Sequence, residues 1–536
     1  MEISWLLLVL SLALLTAALS VVAQRTGYSS PILALCVGAA VSFGPGLPTI
    51  ELDPQVVLLL LLPPLLYASG VGMSWRGFRK HLRAILLLAV GCVLFTASAV
   101  AAVVHYAFGM TWAVGFVLGA IVSPPDAVAP MAILRRWQLP NRLLTVLEGE
   151  SLVNDATALV LFSFALNAVT SGAFSPAGAG LRFLTIVSAE IVYGAAMAWG
   201  ILLLRNVAGD ARAEVLLSLA TPFIVFWLPH ELGGSGVIAC VTAGLWVSWN
   251  GRTLIQPATR LQGYFIWGLV TWAIETLVFL LTGLQASRIF AGLTEAGWER
   301  LLLAGALISF TVIVVRFVWV FPATYLPWIW RRGEGYPDWR LPFLVGYTGL
   351  RGVVSLAAAL SIPLVLEGRP FPDHDIVLFT TFCVILVTLV GQGGLLPCLV
   401  RRLDLAKSGE AEALLDKQDE RRARIGAIDD VLVALDACGA SASSAPAAVA
   451  LLRHHRERRD RQLVTADATT PDDPVSDLVA LQLELLNVER TAIGRSFAEN
   501  LITDEARRRI ERELDLSEAK ILLERDNSGN GPRSDE

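Results

Sequence analysis

The 536-residue chain is 55% hydrophobic and 17% charged, with a net charge of −5 and a mean hydropathy of +0.61, a composition for a bilayer rather than for a water-soluble globule. So small a net charge over this length suggests neither a nucleic-acid surface nor an acidic-substrate surface. Cys36, Cys92, Cys240, Cys383 and Cys398 stand singly in apolar runs and Cys438 lies beyond them, so neither a disulfide ladder nor paired metal-ligand spacing is present. No nucleophile elbow, phosphate-cradling loop or zinc spacing occurs either, so neither an enzyme nor a bound cofactor is expected.

The chain opens on MEISWLLLVLSLALLTAALSVVAQR, with an acid before its apolar run and no clear cleavage site, and this reads as a retained first membrane helix. A hydrocarbon core of about 30 Å needs roughly 20 apolar residues per helix. Such runs predict spans at 4–23, 30–46, 54–70, 83–106, 111–134, 140–168, 182–204, 212–229, 233–249, 263–284, 300–321, 340–366 and 376–399, thirteen in all. Bases collect in the loops after odd-numbered spans: Arg25; Arg76, Arg79, Lys80 and Arg83; Arg135, Arg136 and Arg142; Arg205 and Arg212; Arg252 and Arg260; Arg331, Arg332 and Arg340; Arg401 and Arg402. The intervening loops, such as GPGLPTIELD and PHELGGS, have few. Basic loops stay on the cytoplasmic side, so the N-terminus is expected outside and the C-terminus inside.

From about residue 403 the sequence turns charged and amphipathic, which divides the chain into a membrane domain, 1–402, and a cytoplasmic helical tail, 403–536. In the tail, Ile425, Ile428, Leu432 and Leu435, then Leu478, Leu481, Leu485, Val488 and Ala492, fall at three-and-four spacing, each set on one helix face. A small bundle or dimerising element fits that pattern.

Glu148, Glu150, Asn154 and Asp155 interrupt the apolar sixth span, in EGESLVND. On a helix Ser151 and Asp155 share one face, and Glu150 and Asn154 a neighbouring one. An ionisable group at mid-bilayer costs about 2.5–3.5 kcal/mol on insertion scales, so it is kept only with a partner or an aqueous cavity. Glu148 reads as a helix-entry charge near the surface. In the fifth span, SPPDAVAP, Pro124 and Pro125 remove two amide donors, and the helix is expected to be interrupted from Ser123 to Asp126. Irregular backbone at membrane depth lines a cavity or is buried in protein. The freed carbonyls are expected as cation ligands. Asp126, with Asp155 and Ser151, would complete an all-oxygen pocket for a hard monovalent cation, the transported metal ion.

In the twelfth span, GYTGLRGVVS, Arg351 stands among Gly346, Gly349 and Gly352 and needs a buried acid, for which Glu150 is the expected partner. Arg316 and Glu275, two further intramembrane charges, are read as structural, pairing with each other or supporting the same network. Pro63 and Pro64 are read as packing features, and no histidine is placed to sense pH. Splitting thirteen spans as six, one and six makes the fifth correspond to the twelfth, the two that look broken. Matching interrupted segments in two halves point to a transporter site between inverted repeats.

GAIVSPPDAVA, EGESLVNDATALVLF, GLRGVVSLAAALSIP and GQGGLLP, in this order, resemble the signatures of the monovalent cation/proton antiporters of the NhaP and sodium/proton exchanger type. The resemblance covers about residues 1 to 400. It implies an all-α polytopic membrane protein of NhaA-like antiporter fold in the cell membrane. It also implies a homodimer, in which a core domain moves against a dimerisation scaffold. By matching positions, it makes Asp155 the ion- and proton-binding carboxylate, with Asn154 beside it, Asp126 and Ser151 further ligands, and Glu150 with Arg351 a structural ion pair. Family members commonly carry Thr where this chain has Pro125, so one hydroxyl is missing, and Ser123 is the residue placed to compensate. The Asn154-Asp155 pair resembles the electroneutral members, which implies one-for-one exchange.

One shared site suffices for coupling. Burial favours the protonated carboxyl, a bound cation favours the ionised one, and the two compete for Asp155. Two rivals from other classes share the polar path: a cation channel, which needs no proton coupling, and a proton-coupled organic-solute transporter, which needs a larger pocket.

Overall fold

The computed structural model describes residues 2–26, 29–44, 57–137, 139–171, 176–255, 257–291, 298–329, 338–363, 365–366, 369–439, 453, 456, 474–499, 510 and 513–522. It divides into two compact units, Met1–Leu414 and Leu415–Glu536. The first is built from helices α1 (Glu2–Thr26), α2 (Ser30–Ser42), α3 (Val57–Gly72), α4 (Trp75–Phe108), α5 (Trp112–Val122), α6 (Val128–Leu134), α7 (Asn141–Ser171) and α8 (Pro176–Ala208). It continues with α9 (Ala211–Glu231), α10 (Val237–Leu254), α11 (Pro257–Leu284), α12 (Ala286–Ala291), α13 (Trp298–Ile329), α14 (Arg340–Tyr347), α15 (Val353–Leu360) and α16 (His374–Leu403). A two-residue antiparallel pairing sets Val365 opposite Pro370. Among the described residues seven helices, in α4, α7, α8, α9, α11–α12, α13 and α16, are long and apolar enough to cross a bilayer. Shorter apolar helices lie in α1, α2, α3, α5 and α10. This is a multi-pass, helical membrane protein.

Helices in lipid gain little by hiding apolar surface from one another, so close backbone approach at small residues holds them. Gly38 of α2 meets the backbone of Leu280 and Gly283 on α11, Gly115 and Gly119 of α5 meet Ala101 and Ala97 on α4, and Gly194 of α8 meets Ala239 on α10. A Cβ at any of these four glycines would overlap the facing helix.

Two larger apolar clusters result. One draws mainly on α2, α4–α7 and α13–α16, the other on α3, α4 and α7–α10. Helix α7 serves both, with Leu143, Leu147 and Phe162 in the first and Leu152 and Ala156 in the second. Asp155 therefore sits where the two cores adjoin.

Among the described residues three helices contain a π-helical turn, at Val57–Leu61, Leu87–Cys92 and Leu386–Gln392. Such turns leave carbonyls and side chains off the regular ladder. Leu87 O accepts the Trp319 indole N–H at 2.9 Å, tying α4 to α13. Pro63 and Pro64 follow the first of these turns and are buried.

In the tail, α17 (Ala406–Gly439) buries Ile428 and Leu432, and the division between the two compact units falls inside this helix. On α18 (Pro474–Ala498), Leu481, Leu485 and Val488 are exposed, and Arg490 binds Asp515 and Glu518 on the helical segment 513–522. The side chains of Leu435 and Leu478 lie outside the described residues.

Candidate functional site

Helix α5 ends at Val122 and α6 begins at Val128, with Pro124 and Pro125 in the non-helical stretch between them. Prolines without amide protons leave carbonyls of the preceding turn without helical donors. Side chains from elsewhere take up the polar groups around this gap. Ser123 Oγ donates to Ala120 O at 3.3 Å, Arg351 Nε to Val122 O at 2.5 Å, and Asn154 Nδ2 to Pro125 O at 2.6 Å. The carbonyls of Ala120, Val122 and Pro125, expected as cation ligands, each accept one side-chain donor.

The second gap, Thr348–Gly352, separates α14 from α15. It lies directly against the first, because the Asp126 amide donates to Leu350 O at 2.7 Å. Gly352 is required by this crossing, since a Cβ on it would occupy the place of Asp126 Oδ2. The other oxygen of Asp126 accepts from Val128 N at 2.8 Å, where the carboxylate caps the positive end of α6. Arg351 is 1% exposed, and besides Val122 O it reaches Gly349 O at 2.6 Å, while its amide donates to Thr388 Oγ1 at 3.1 Å on the π-helical turn of α16. Nothing in the sequence pattern singles out Thr388, because its role comes from a contact 37 residues away.

Glu150 does not pair with Arg351. Arg316 of α13 grips it with both arms of its guanidinium, Nη1 to Oε1 at 2.6 Å and Nη2 to Oε2 at 2.9 Å, while Nε donates to Val345 O at 3.1 Å on α14. The planar fork of one arginine fills the carboxylate's acceptor directions, and Arg351, whose donors serve backbone carbonyls, is left as the helix-end charge. The alternative pairing of Arg316 with Glu275 is excluded by the same contact.

Asp126, Ser151 and Asp155 line one cavity of about 1170 Å³ within the first unit. All three are half-buried. Ser151 Oγ also accepts the Ala127 amide at 3.3 Å, which fixes the loop that carries Asp126. Asn154 is fully buried and is not among the lining residues; its amide nitrogen holds the Pro125 backbone. Ser123 is 2% exposed, and its hydroxyl donates to the end of α5, so it does not replace the missing threonine hydroxyl. Glu148 is bound by Arg135 at 2.7 Å near the cavity. Two residues that sequence reading had set aside, Glu275 and Arg205, also line it. Arg205, read as a loop base, is 4% exposed in the last turn of α8. Among the described residues no group of three or more His, Cys, Asp or Glu is arranged to hold a metal ion.

Fold and site together define an all-helical, multi-pass membrane protein with a two-carboxylate cavity beside a pair of crossing helix interruptions. The profile of the family described as "Sodium/hydrogen exchanger, transmembrane" matches residues 9–402. The chain is 33% identical over 534 residues to an "Uncharacterized Na(+)/H(+) exchanger" of Mycobacterium tuberculosis (strain ATCC 25618 / H37Rv), with 96% of each chain covered. It is 33% identical over 385 residues to the "Sodium, potassium, lithium and rubidium/H(+) antiporter" of Bacillus subtilis (strain 168), covering 69% of this chain and 57% of that one. The solved sodium proton antiporter MjNhaP1 from Methanocaldococcus jannaschii superposes with a TM-score of 0.62 at 19% identity, over 76% of this chain and all of that one, a likeness of fold. The chain belongs to the sodium/hydrogen exchanger family.

Proposed function

We propose that this protein is a secondary active antiporter that exchanges a monovalent cation, sodium first, for a proton across the cell membrane, one for one, at a site made by Asp155, Asp126 and Ser151. The observation that carries the reading is that two carboxylates and a hydroxyl, from an interrupted helix and its neighbour, line a single cavity. Family membership and the printed activities of the relatives support it. A carboxylate in a low-dielectric wall favours its neutral form, and a cation in contact favours the ionised one. Proton and metal ion thus exclude each other at Asp155. The site crosses when either occupies it, whereas the empty anion is held back by the cost of charge in the bilayer.

On this reading seven long helices, four shorter ones (in α1, α2, α3 and α10) and the pairs α5/α6 and α14/α15 make thirteen crossings. The two interrupted pairs then occupy corresponding places in inverted repeats. The N-terminus lies outside, the tail from residue 403 lies in the cytoplasm, and the protein works as a homodimer in which a core moves against a scaffold. Arg76, Arg135, Arg205 and Arg260 all line the cavity. Bases near these helix ends mark the cytoplasmic side, so the cavity opens inward.

The test is cation-driven pH change in everted membrane vesicles containing the full chain. Addition of Na⁺ is expected to dissipate an imposed proton gradient, and Asp155→Asn to remove the response. Competition for one site raises the apparent KM for Na⁺ about tenfold for each pH unit below the site's proton affinity, with an unchanged maximum rate. Cation flux without proton movement, or full exchange by Asp155→Asn, sinks the reading.

A further inference from the structure

Glu275 lies on α11, outside the set that builds the site. It is half-buried and lines the same cavity as Asp126 and Asp155. Arg316, its nearest expected partner from the sequence, is fully engaged by Glu150. Among the described residues no hydrogen bond or ion pair holds the Glu275 carboxylate, while its charge is near enough to interact with those of Asp126 and Arg135. Its neighbours on the cavity wall include Val278 and Phe279 of α11 and Leu58 and Leu61 of α3. An acid kept among such residues without a fixed partner has one evident use, as an open acceptor for a mobile cation.

Glu275, Asp126 and Asp155 are not arranged as a group of three that could hold a metal ion together. Arg135, whose guanidinium is bound to Glu148, lines the cavity as well, so an incoming cation meets positive charge along this path as well as negative. A carboxylate on the wall offsets that repulsion and raises the local cation concentration.

We infer that Glu275 is a relay carboxylate, which holds a partly hydrated monovalent cation in the cavity before it reaches Asp126 and Asp155 and thereby sets the cation affinity of transport. The inference rests on the antiport reading above. It separates attraction, at Glu275, from coupling, at Asp155.

The experiment uses everted vesicles containing the full chain, with Na⁺ and Li⁺ as probes at fixed pH. Glu275→Gln is expected to raise the apparent KM for both ions about three- to tenfold, with the maximum rate within about twofold of the unaltered protein. Glu275→Asp, which keeps the charge and withdraws it by one methylene, is expected to give a smaller rise. Thr271 lines the cavity one turn away on the same helix, so the double variant T271E/E275Q is expected to return KM toward its starting value. Because the effect is one of charge, the difference between E275Q and the unaltered protein is expected to shrink as choline chloride is added. An unchanged KM in E275Q overturns the inference, and so does a lost maximum rate that T271E fails to restore. Should E275Q not accumulate in the membrane, a KM for E275D equal to that of the unaltered protein overturns it as well. Failure of the antiport reading looks different, since the unaltered protein itself then gives no cation-driven pH change.

Discussion

The two gaps in the helical backbone, Ser123–Ala127 and Thr348–Gly352, touch each other and are built in opposite ways. The first is made by prolines and loses donors. The second is set among glycines and gains space, which lets Asp126 lie against the bare Cα of Gly352. Each brings one charge to the crossing and places it at a helix end of opposite sign: Asp126 at the start of α6, Arg351 at Val122 O on the end of α5. The base is then sealed in, 1% exposed, while the acid is left half-buried on the cavity. Such a crossing is balanced in charge inside and negative toward the cavity, which is the polarity a cation path requires.

The largest expected effect falls on the brace behind the second gap. Arg316→Met would leave Glu150, which is 1% exposed, without its counter-charge, and Val345 O with only the Thr348 hydroxyl as a side-chain donor. Stranding a buried charge costs about 3–5 kcal/mol, and replacing both partners with apolar residues restores most of it. Thermal unfolding of the purified protein is expected to show R316M far less stable and E150M/R316M close to the original. Were Arg351→Met instead the variant that Glu150→Met rescues, the pairing read from sequence would be right and the division of labour between the two arginines wrong.

Next in size is Gly352→Ala. Its methyl group would take the position of Asp126 Oδ2, so the carboxylate must leave the crossing or the two gaps must part. A drop of more than about tenfold in exchange rate is expected, with a smaller loss of stability than in R316M, because only one contact between the gaps is displaced. Equal exchange by G352A would show that the close approach of the two gaps is not needed for transport.

Much of this site is legible along the chain, because its chemistry is local. Proline names the place where donors go missing, and acids in an apolar run stand out against their surroundings, so Asp126, Ser151 and Asp155 stand out as a set, and all three line the cavity. What local chemistry lacks is distance. Glu150 is the expected partner of Arg351 until packing brings Arg316 to it instead, across 166 residues of chain. The contact that Asn154 makes is hidden for the same reason. Its neighbour Asp155 faces the cavity, but one residue along a helix turns a side chain by about 100°, and at that angle Asn154 meets Pro125 O instead.

The smallest effect is expected at Ser123, and it sharpens the contrast between the gaps because it concerns only the first. Its hydroxyl donates to Ala120 O, the carbonyl that the ring nitrogen of Pro124 cannot serve, over a long 3.3 Å. A neutral hydrogen bond of this kind contributes about 0.5–1.5 kcal/mol, and a contact of this length belongs at the lower end. Ser123→Ala is therefore expected to lower the unfolding temperature slightly and to leave the apparent KM for Na⁺ where it was, since the hydroxyl belongs to the end of α5 rather than to the cation. A clear rise in KM would place Ser123 on the cation path after all, as a fourth residue beside Asp126, Ser151 and Asp155.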